Sequence, residues 1–198
     1  MLQSAVIDNA SLIYLSHLHR EKAFFHYLRN LFNTVYVPLE VKNEFVRGAV
    51  KEPDRYWIIQ RLNPDQGFYR LCTSYDSFVM ITVENYKGID KGEAEAYAQL
   101  KKVNAQIIIS DDKAFIVALK QLDSGIRVYT TLHLISWLEH AKLLPDWKEM
   151  IQALFLLRPF KSSELRQAYL QLAERLGLNI SKKEVSVKCS LSKIIKLK

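Results

Sequence analysis

The sequence predicts an α/β protein: a three-layer α/β/α sandwich around a central parallel sheet of four to five strands, followed by a helical C-terminal extension. Three observations predict it. Short apolar or β-branched runs alternate with stretches of helical spacing. The runs are separated by far more than a hairpin turn, so they pair in parallel through crossovers. Four acidic signals also fall in order where a strand should end or a helix should begin. They are Asp8 in A-V-I-D-N-A-S-L-I, Glu44 in V-Y-V-P-L-E-V-K-N-E-F, Glu93 in D-K-G-E-A-E-A and Asp111 in I-I-I-S-D-D-K-A.

The elements follow in order. Residues 4–8 are apolar and end in Asp, a buried first strand. Residues 10–17 and 21–32 read as helices; in the second, Phe24, Tyr27, Leu28 and Leu31 recur at helical spacing and form an inward face. T-V-Y-V at 34–37 is a second buried strand, stopped by Pro38, which is at home in the first turn of the helix expected at 39–46. A helix is expected over 51–62 with Pro53 in its first turn, then a turn at 63–67 and a short strand at 68–72. Residues 74–85 lean helical, and 87–92 form a loop in which Asp90 N-caps the helix at 93–102. A strand at 107–110 leads at once into a helix at 112–122; 128–130 is the last core strand and 132–140 another helix. Beyond Leu144 the texture changes: helices at 145–157 and 162–176, the second ended by Gly177, then a tail at 181–198 with six lysines. The expected domains are 1–157 and 158–198.

At 198 residues the chain is long enough for one domain with a real core plus an appendage, and 49% hydrophobic with 25% charged residues is ordinary for a globular protein. No apolar run is long enough to cross a bilayer and the start lacks the pattern of a signal peptide, so the expectation is a cytoplasmic protein without a membrane span. Cys72 and Cys189 are far apart and lack a C-x-x-C partner, which fits free thiols in a reducing compartment and gives no support to a thiolate zinc site. A net charge of +7 and a pI near 9.3 favour a polyanionic partner.

Carboxylates spread over a hundred residues meet only if a parallel sheet gathers its strand ends on one edge, where ligands of such sheets bind. A cluster of carboxylates repels itself, and a bound divalent cation restores the balance. Singly, each acid has a structural explanation. Asp8 or Asp111 would serve as a helix cap, Glu93 suits a helix first turn, and Glu44 would be a surface residue beside Lys42 and Arg47. Their ordered recurrence at successive junctions is what argues for a pocket. Glu40, Glu95 and Asp90 are expected to be solvated. The five histidines form no metal-spaced pair, and neither a phosphate loop nor a dinucleotide fingerprint is present. A D-x-D phosphatase pair is disfavoured by Asn9-Ala10.

The ordered set of V-I-D with L-I behind it, Y-V-P…E-V…E-F, G-E-A-E-A, I-I-S-D-D-K and the closing T-L…L-E-H-A-K-L-L-P-D-W resembles the PIN-domain nucleases. The nearest branch is the small prokaryotic PIN proteins related to toxins of toxin–antitoxin pairs. The resemblance runs from about residue 4 to about 154. It implies an endoribonuclease pocket of three or four acids that uses Mg²⁺ or Mn²⁺. It assigns Asp8 to the family's first aspartate, Glu44 to the glutamate on the helix after the second strand, and Asp111 to the aspartate after the fourth. Glu93 rather than Glu95 takes the remaining position because it stands eighteen residues before Asp111, and Asp112 is a fifth member. Two departures stand out: Ala10 replaces a polar residue, with Asn9 or Ser11 as substitutes, and Lys113 stands where arginine is usual.

On this reading Asp8, Glu93, Asp111 and Asp112 bind metal, and Glu44 and Glu93 orient or deprotonate the attacking water. Lys113, Arg127 and the terminal lysines either track RNA phosphate or only solubilise the surface, and Tyr56, Trp57 and Tyr69 either stack bases or pack in the fold. The resemblance further implies a homodimer and an antitoxin partner. The alternative is a catalytically weak or inactive PIN-fold module that binds RNA or protein; the C-terminal segment would serve as a partner arm under either reading.

Overall fold

The computed structural model describes residues 3–18, 23–49, 55–143 and 171. The expected helix at 145–157 and the lysine-rich tail lie outside the described residues, as does all but Gln171 of the expected helix at 162–176. Five strands, β1 (Gln3–Ile7), β2 (Phe32–Pro38), β3 (Tyr69–Cys72), β4 (Ile107–Ile109) and β5 (Arg127–Tyr129), form one all-parallel sheet in the order β3-β2-β1-β4-β5. Among the described residues eight helices flank it: α1 (Asn9–Leu18), α2 (Ala23–Leu28), α3 (Leu39–Ala49), α4 (Arg55–Ile59), α5 (Ser77–Glu84), α6 (Lys91–Lys102), α7 (Lys113–Leu122) and α8 (Thr131–His140). This is the three-layer α/β/α sandwich that the alternation of elements predicts. The sheet and every acid discussed below belong to the first of two compact units, residues 1–134; of the second, 135–198, the described part is the remainder of α8, residues 141–143 and Gln171.

The central strands are apolar on both faces because helices cover both. Ala5, Val6, Ile7, Ile108 and Ile109 are fully buried. Val6 and Ile108 join a cluster with Met80 and Val83 of α5, Ala94 and Leu100 of α6, and Phe115 and Leu119 of α7. The pleat turns Ala5, Ile7 and Ile109 to the opposite face. Each such side chain withdrawn from water contributes roughly 1.5–3 kcal/mol before the entropy of ordering is subtracted.

Boundaries moved where local chemistry outweighed periodicity. The helix expected at 21–32 is α2, described over Ala23–Leu28. Asn30 and Leu31 donate to carbonyls only three residues back, and the Asn30 side chain bonds the carbonyls of His26 and Tyr27, which closes the helix. Phe32, buried, then opens β2 two residues earlier than expected. The ambiguous stretch at 74–85 is helical from Ser77 because Asp76 caps it, accepting from the amides of Phe78 and Val79. Gly48 is needed where Arg55 crosses α3. A Cβ there would come within 1.7 Å of the Arg55 guanidinium, which is buried and donates to the Phe45 carbonyl at 3.1 Å.

The strand order positions the site. From β1 the chain builds outward to β2 and β3 on one side, then returns to add β4 and β5 on the other. The direction of winding therefore reverses between β1 and β4, and the crevice at their carboxyl ends is where open α/β sheets bind ligands. The ladder continues one step past each strand there: Asp8 N–H donates to the Ile109 carbonyl at 3.0 Å and Ser110 N–H to the Tyr129 carbonyl at 2.9 Å. Asp8 and Asp111 are thereby carried to the two sides of that crevice.

Candidate functional site

Asp8 follows β1 directly and is buried, 3% exposed. One carboxylate oxygen accepts from the Ser11 amide at 2.7 Å, so Asp8 N-caps α1; the other accepts from the Ser110 hydroxyl. Burial pushes its carboxyl up to about 7, and the nearby Asp111 adds to the push, against the bonds from Ser110 and Ser11. Asp111 is 4% exposed and is held from two elements. Its Oδ2 accepts from the Ser11 hydroxyl at 2.7 Å and the Thr131 hydroxyl at 2.5 Å, and the Thr131 amide lies 3.2 Å from each of its oxygens. Ser11 thus bridges the two aspartates, one through its amide and one through its hydroxyl. It supplies the hydrogen bond for which Ala10 has no side chain.

Asp112, not Asp111, caps α7, accepting from the amides of Ala114 and Phe115 at 2.8 and 3.2 Å. Glu93 sits in the first turn of α6 in a reciprocal capping box with Asp90: the Glu93 amide donates to Asp90 and the Asp90 amide to Glu93, both at 2.9 Å. Burial raises the Glu93 carboxyl to about 8, with Asp90, Asp112 and Asp8 all pushing the same way. Glu44, one turn into α3, is half-buried. Burial raises its carboxyl, as do Asp90 and Glu40, while Arg47 and a hydrogen bond from the Asn9 side chain oppose the shift. Gly92 makes room for it, since a Cβ there would lie 3.0 Å from Glu44 Oε1.

Asp8, Asp111, Asp112, Glu93 and Glu44 are therefore gathered at one edge of the sheet. Arg127 is not. It begins β5, and its guanidinium donates to Gln3 at the start of β1, so it stands on the opposite, amino-terminal edge. Lys113, exposed at the first residue of α7, is on the acidic edge. Tyr69 is fully buried and unavailable for base stacking, Trp57 packs edge-on against Phe25 with Arg61 over its face, and Tyr56 is exposed. Two of the three acids expected to be solvated prove otherwise engaged. Glu95 is buried, 3% exposed, and accepts from the amides of Leu39 and Glu40 at 2.7 and 3.0 Å; Glu40 pairs with Arg47 and Lys91. Asp90 is exposed and is the cap that its position predicted.

Sequence reasoning missed Thr131 and the depth of Ser110's involvement. The signal was available, because Thr131 opens α8 at the next strand–helix junction, the same kind of position that singled out the acids.

The donors gathered here are oxygens, the chemistry that Mg²⁺ and Mn²⁺ prefer. The leading influences on Asp8 and Glu93 include no basic side chain. Asn9 Oδ1, beside Asp8 in sequence, is buried with no hydrogen-bond donor among the described residues, although the Asn9 side chain also bonds Glu44. An orphaned oxygen among under-compensated carboxylates suits a hydrated divalent cation, so the residues fit the group. Among the described residues no three His, Cys, Asp or Glu side chains converge closely enough to hold a metal ion as they stand. Mg²⁺ commonly takes one or two carboxylates and keeps several waters, so a closed protein cage is not its usual demand.

Among the described residues no helix is long and apolar enough to cross a membrane. A family model, DUF3368, described as a PIN domain, matches residues 4–175, past the stretch over which the motifs resemble that family. No curated protein and no solved structure matches the chain. With the sheet order, the gathered acids and a match over most of its length, the chain belongs to the PIN-domain family and carries a nuclease-type fold.

Proposed function

We propose that this protein is a Mg²⁺- or Mn²⁺-dependent endoribonuclease that hydrolyses phosphodiester bonds of single-stranded RNA at the crevice between β1 and β4. The observation that carries this reading is the gathering of Asp8, Asp111, Asp112, Glu93 and Glu44 at one strand edge, with Asp8 and Glu93 raised to about 7 and about 8 and no cation among their leading influences. Asp8 and Asp111 would hold the ion, with Glu93 and Asp112 beside them. When bound, it supplies charge relief at the scissile phosphate and an activated water.

The chain's own residues prepare this chemistry. Ser11, Ser110 and Thr131 fix the orientations of the two aspartates, so little reorganisation accompanies ligation. Glu93, close enough to Asp8 and Asp112 for their charges to act on it, would orient or deprotonate the attacking water. Lys113, exposed at the start of α7, would meet RNA phosphate. Homodimer formation, and a role as the toxin of a toxin–antitoxin pair with an antitoxin filling the acidic groove, rest on kinship alone. The solution mass and the neighbouring open reading frame test them.

The direct experiment incubates purified protein with single-stranded RNA and Mg²⁺ or Mn²⁺, with a chelator control. Asp8→Asn should abolish metal-dependent cleavage, and cleavage that survives it would sink the proposal. One observation favours a second reading, an RNA- or protein-binding module without cleavage: the acids are gathered but not closed into a three-ligand set. Calorimetric titration with Mn²⁺ separates the two, since a binding module need take up no ion.

A further inference from the structure

We infer that Glu95 is a positioning residue that locks helix α3, and with it Glu44, onto helix α6, which carries Glu93. This deepens the proposed function and rests on it for its catalytic consequence. The structural part stands on its own geometry.

Glu93 and Glu95 are two residues apart on α6, about 200° around the helix axis, so they serve different neighbours. Glu93 faces the aspartates. Glu95 reaches 56 residues back along the chain, where one of its oxygens accepts from the Leu39 amide at 2.7 Å and the other from the Glu40 amide at 3.0 Å. These are the first two amides of α3, donors that a helix leaves without internal partners. No local side chain can cap them in the usual way, because the residue before Leu39 is Pro38, which has no acceptor on its ring. α3 therefore borrows its N-cap from α6. The Lys91–Glu40 ion pair at 3.8 Å ties the same two helix starts. Glu44 lies one turn beyond Glu40 on α3, against Gly92 and bonded by the Asn9 side chain. Whatever fixes the start of α3 on α6 consequently fixes where Glu44 stands relative to Glu93.

The chemistry at this position calls for an acid. A carboxylate offers acceptors to both amides; glutamine offers one oxygen and turns an NH₂ group toward the second N–H. Glu95→Gln is thus nearly isosteric but breaks half the cap. Asp76→Ala is the matched control, since Asp76 caps α5 in the same manner, is exposed, and belongs to a helix with none of the gathered acids.

The experiment compares wild type, Glu95→Gln and Asp76→Ala by amide hydrogen exchange at Leu39 and Glu40, by the NMR resonances of the Asn9 side-chain amide and the Glu44 carboxyl, and by Mn²⁺ calorimetry with RNA-cleavage kinetics. In Glu95→Gln the two amides should exchange faster and the Asn9 and Glu44 resonances should move, while Val6 and Ile108 keep their protection. Mn²⁺ affinity and kcat should fall about tenfold, as for other partners that orient ligands, with KM for RNA little changed. Asp76→Ala should alter none of these. Faster exchange with unmoved Asn9 and Glu44 resonances, unchanged exchange, or an undiminished Mn²⁺ affinity would each overturn the inference. Should the variant fail to fold, Leu39→Pro removes one donor from the other side of the contact and is compatible with a helix first turn. A wild type that neither binds Mn²⁺ nor cleaves RNA would defeat the proposed function, yet exchange and resonances would still decide the role of Glu95.

Discussion

The two edges of the sheet treat charge in opposite ways. At the amino-terminal edge, charged groups sit at the surface and meet partners: Lys101 at the end of α6 pairs with Asp123 at the end of α7, and the contact holds the Asp123 carboxyl below its usual range. Arg127 at the same edge donates to Gln3. At the carboxyl edge Asp8 and Asp111 are buried and accept from hydroxyls and amides, and burial drives Asp8 and Glu93 upward instead. Neutral donors orient a carboxylate but do not cancel its charge. One edge pairs its charges within the folded chain; at the other, burial and neighbouring carboxylates raise the acids.

The largest expected effect breaks this contrast by substitution. Asp111→Asn should lower metal-dependent cleavage by more than about 100-fold, since partners one layer further from a metal are already worth roughly 10–100-fold. Arg127→Ala, on the far edge, should change it by no more than about twofold, the ordinary scale of a surface substitution. Comparable losses in initial-rate assays would show that the edges do not differ in function.

Next comes pH. Asp8 and Glu93 are raised from 3.8 and 4.5 to about 7 and about 8, so their contribution to stability is fully present below the unfolded values and is lost as pH rises through the folded ones. With chelator present, urea denaturation should show stability falling from about pH 5 to pH 8, with Asp8 alone contributing on the order of 2 kcal/mol. Asp8→Asn should flatten the fall, and Mn²⁺ should restore stability at pH 8. A rise in stability over that range would contradict the account. Asp123, whose carboxyl is lowered, works in the opposite sense, lending stability above its unfolded value and losing it in acid.

A smaller effect is expected at Gly92. Gly92→Ala puts a Cβ 3.0 Å from Glu44 Oε1, so Glu44 must give way and Mn²⁺ affinity should fall roughly threefold to tenfold by calorimetry. The smallest belongs to the amino-terminal edge. Lys101→Met removes an exposed pair and should cost no more than about 1 kcal/mol in urea denaturation, with cleavage unchanged.

Much of this was legible in the chain. A-V-I, T-V-Y-V and I-I-I announced central strands because a doubly covered parallel strand has no polar face to show. Asp8 and Asp111 were legible because carboxylates that follow parallel strands fall on one edge of such a sheet, whereas Glu93, which follows a helix and a loop, was singled out by the spacing that the family resemblance supplies. Glu95 was misread as solvated, since its partners lie 55 and 56 residues away and no local pattern distinguishes a remote cap from a surface glutamate. Arg127 was misplaced for a related reason: charge is visible in a sequence, but the edge it lands on depends on which end of its strand it occupies.

By itself the sequence determined the class of fold and the alternation of elements, because periodicity and turn chemistry act over a few neighbours. Tertiary structure alone decided that β1 and β4 lie side by side and that Ser11 spans Asp8 and Asp111, the latter 100 residues further along the chain. It also decided that α6 supplies the cap α3 lacks. Those outcomes depend on the order in which strands pack, and long-range order reaches a side chain only through the partners that the completed sheet brings to it.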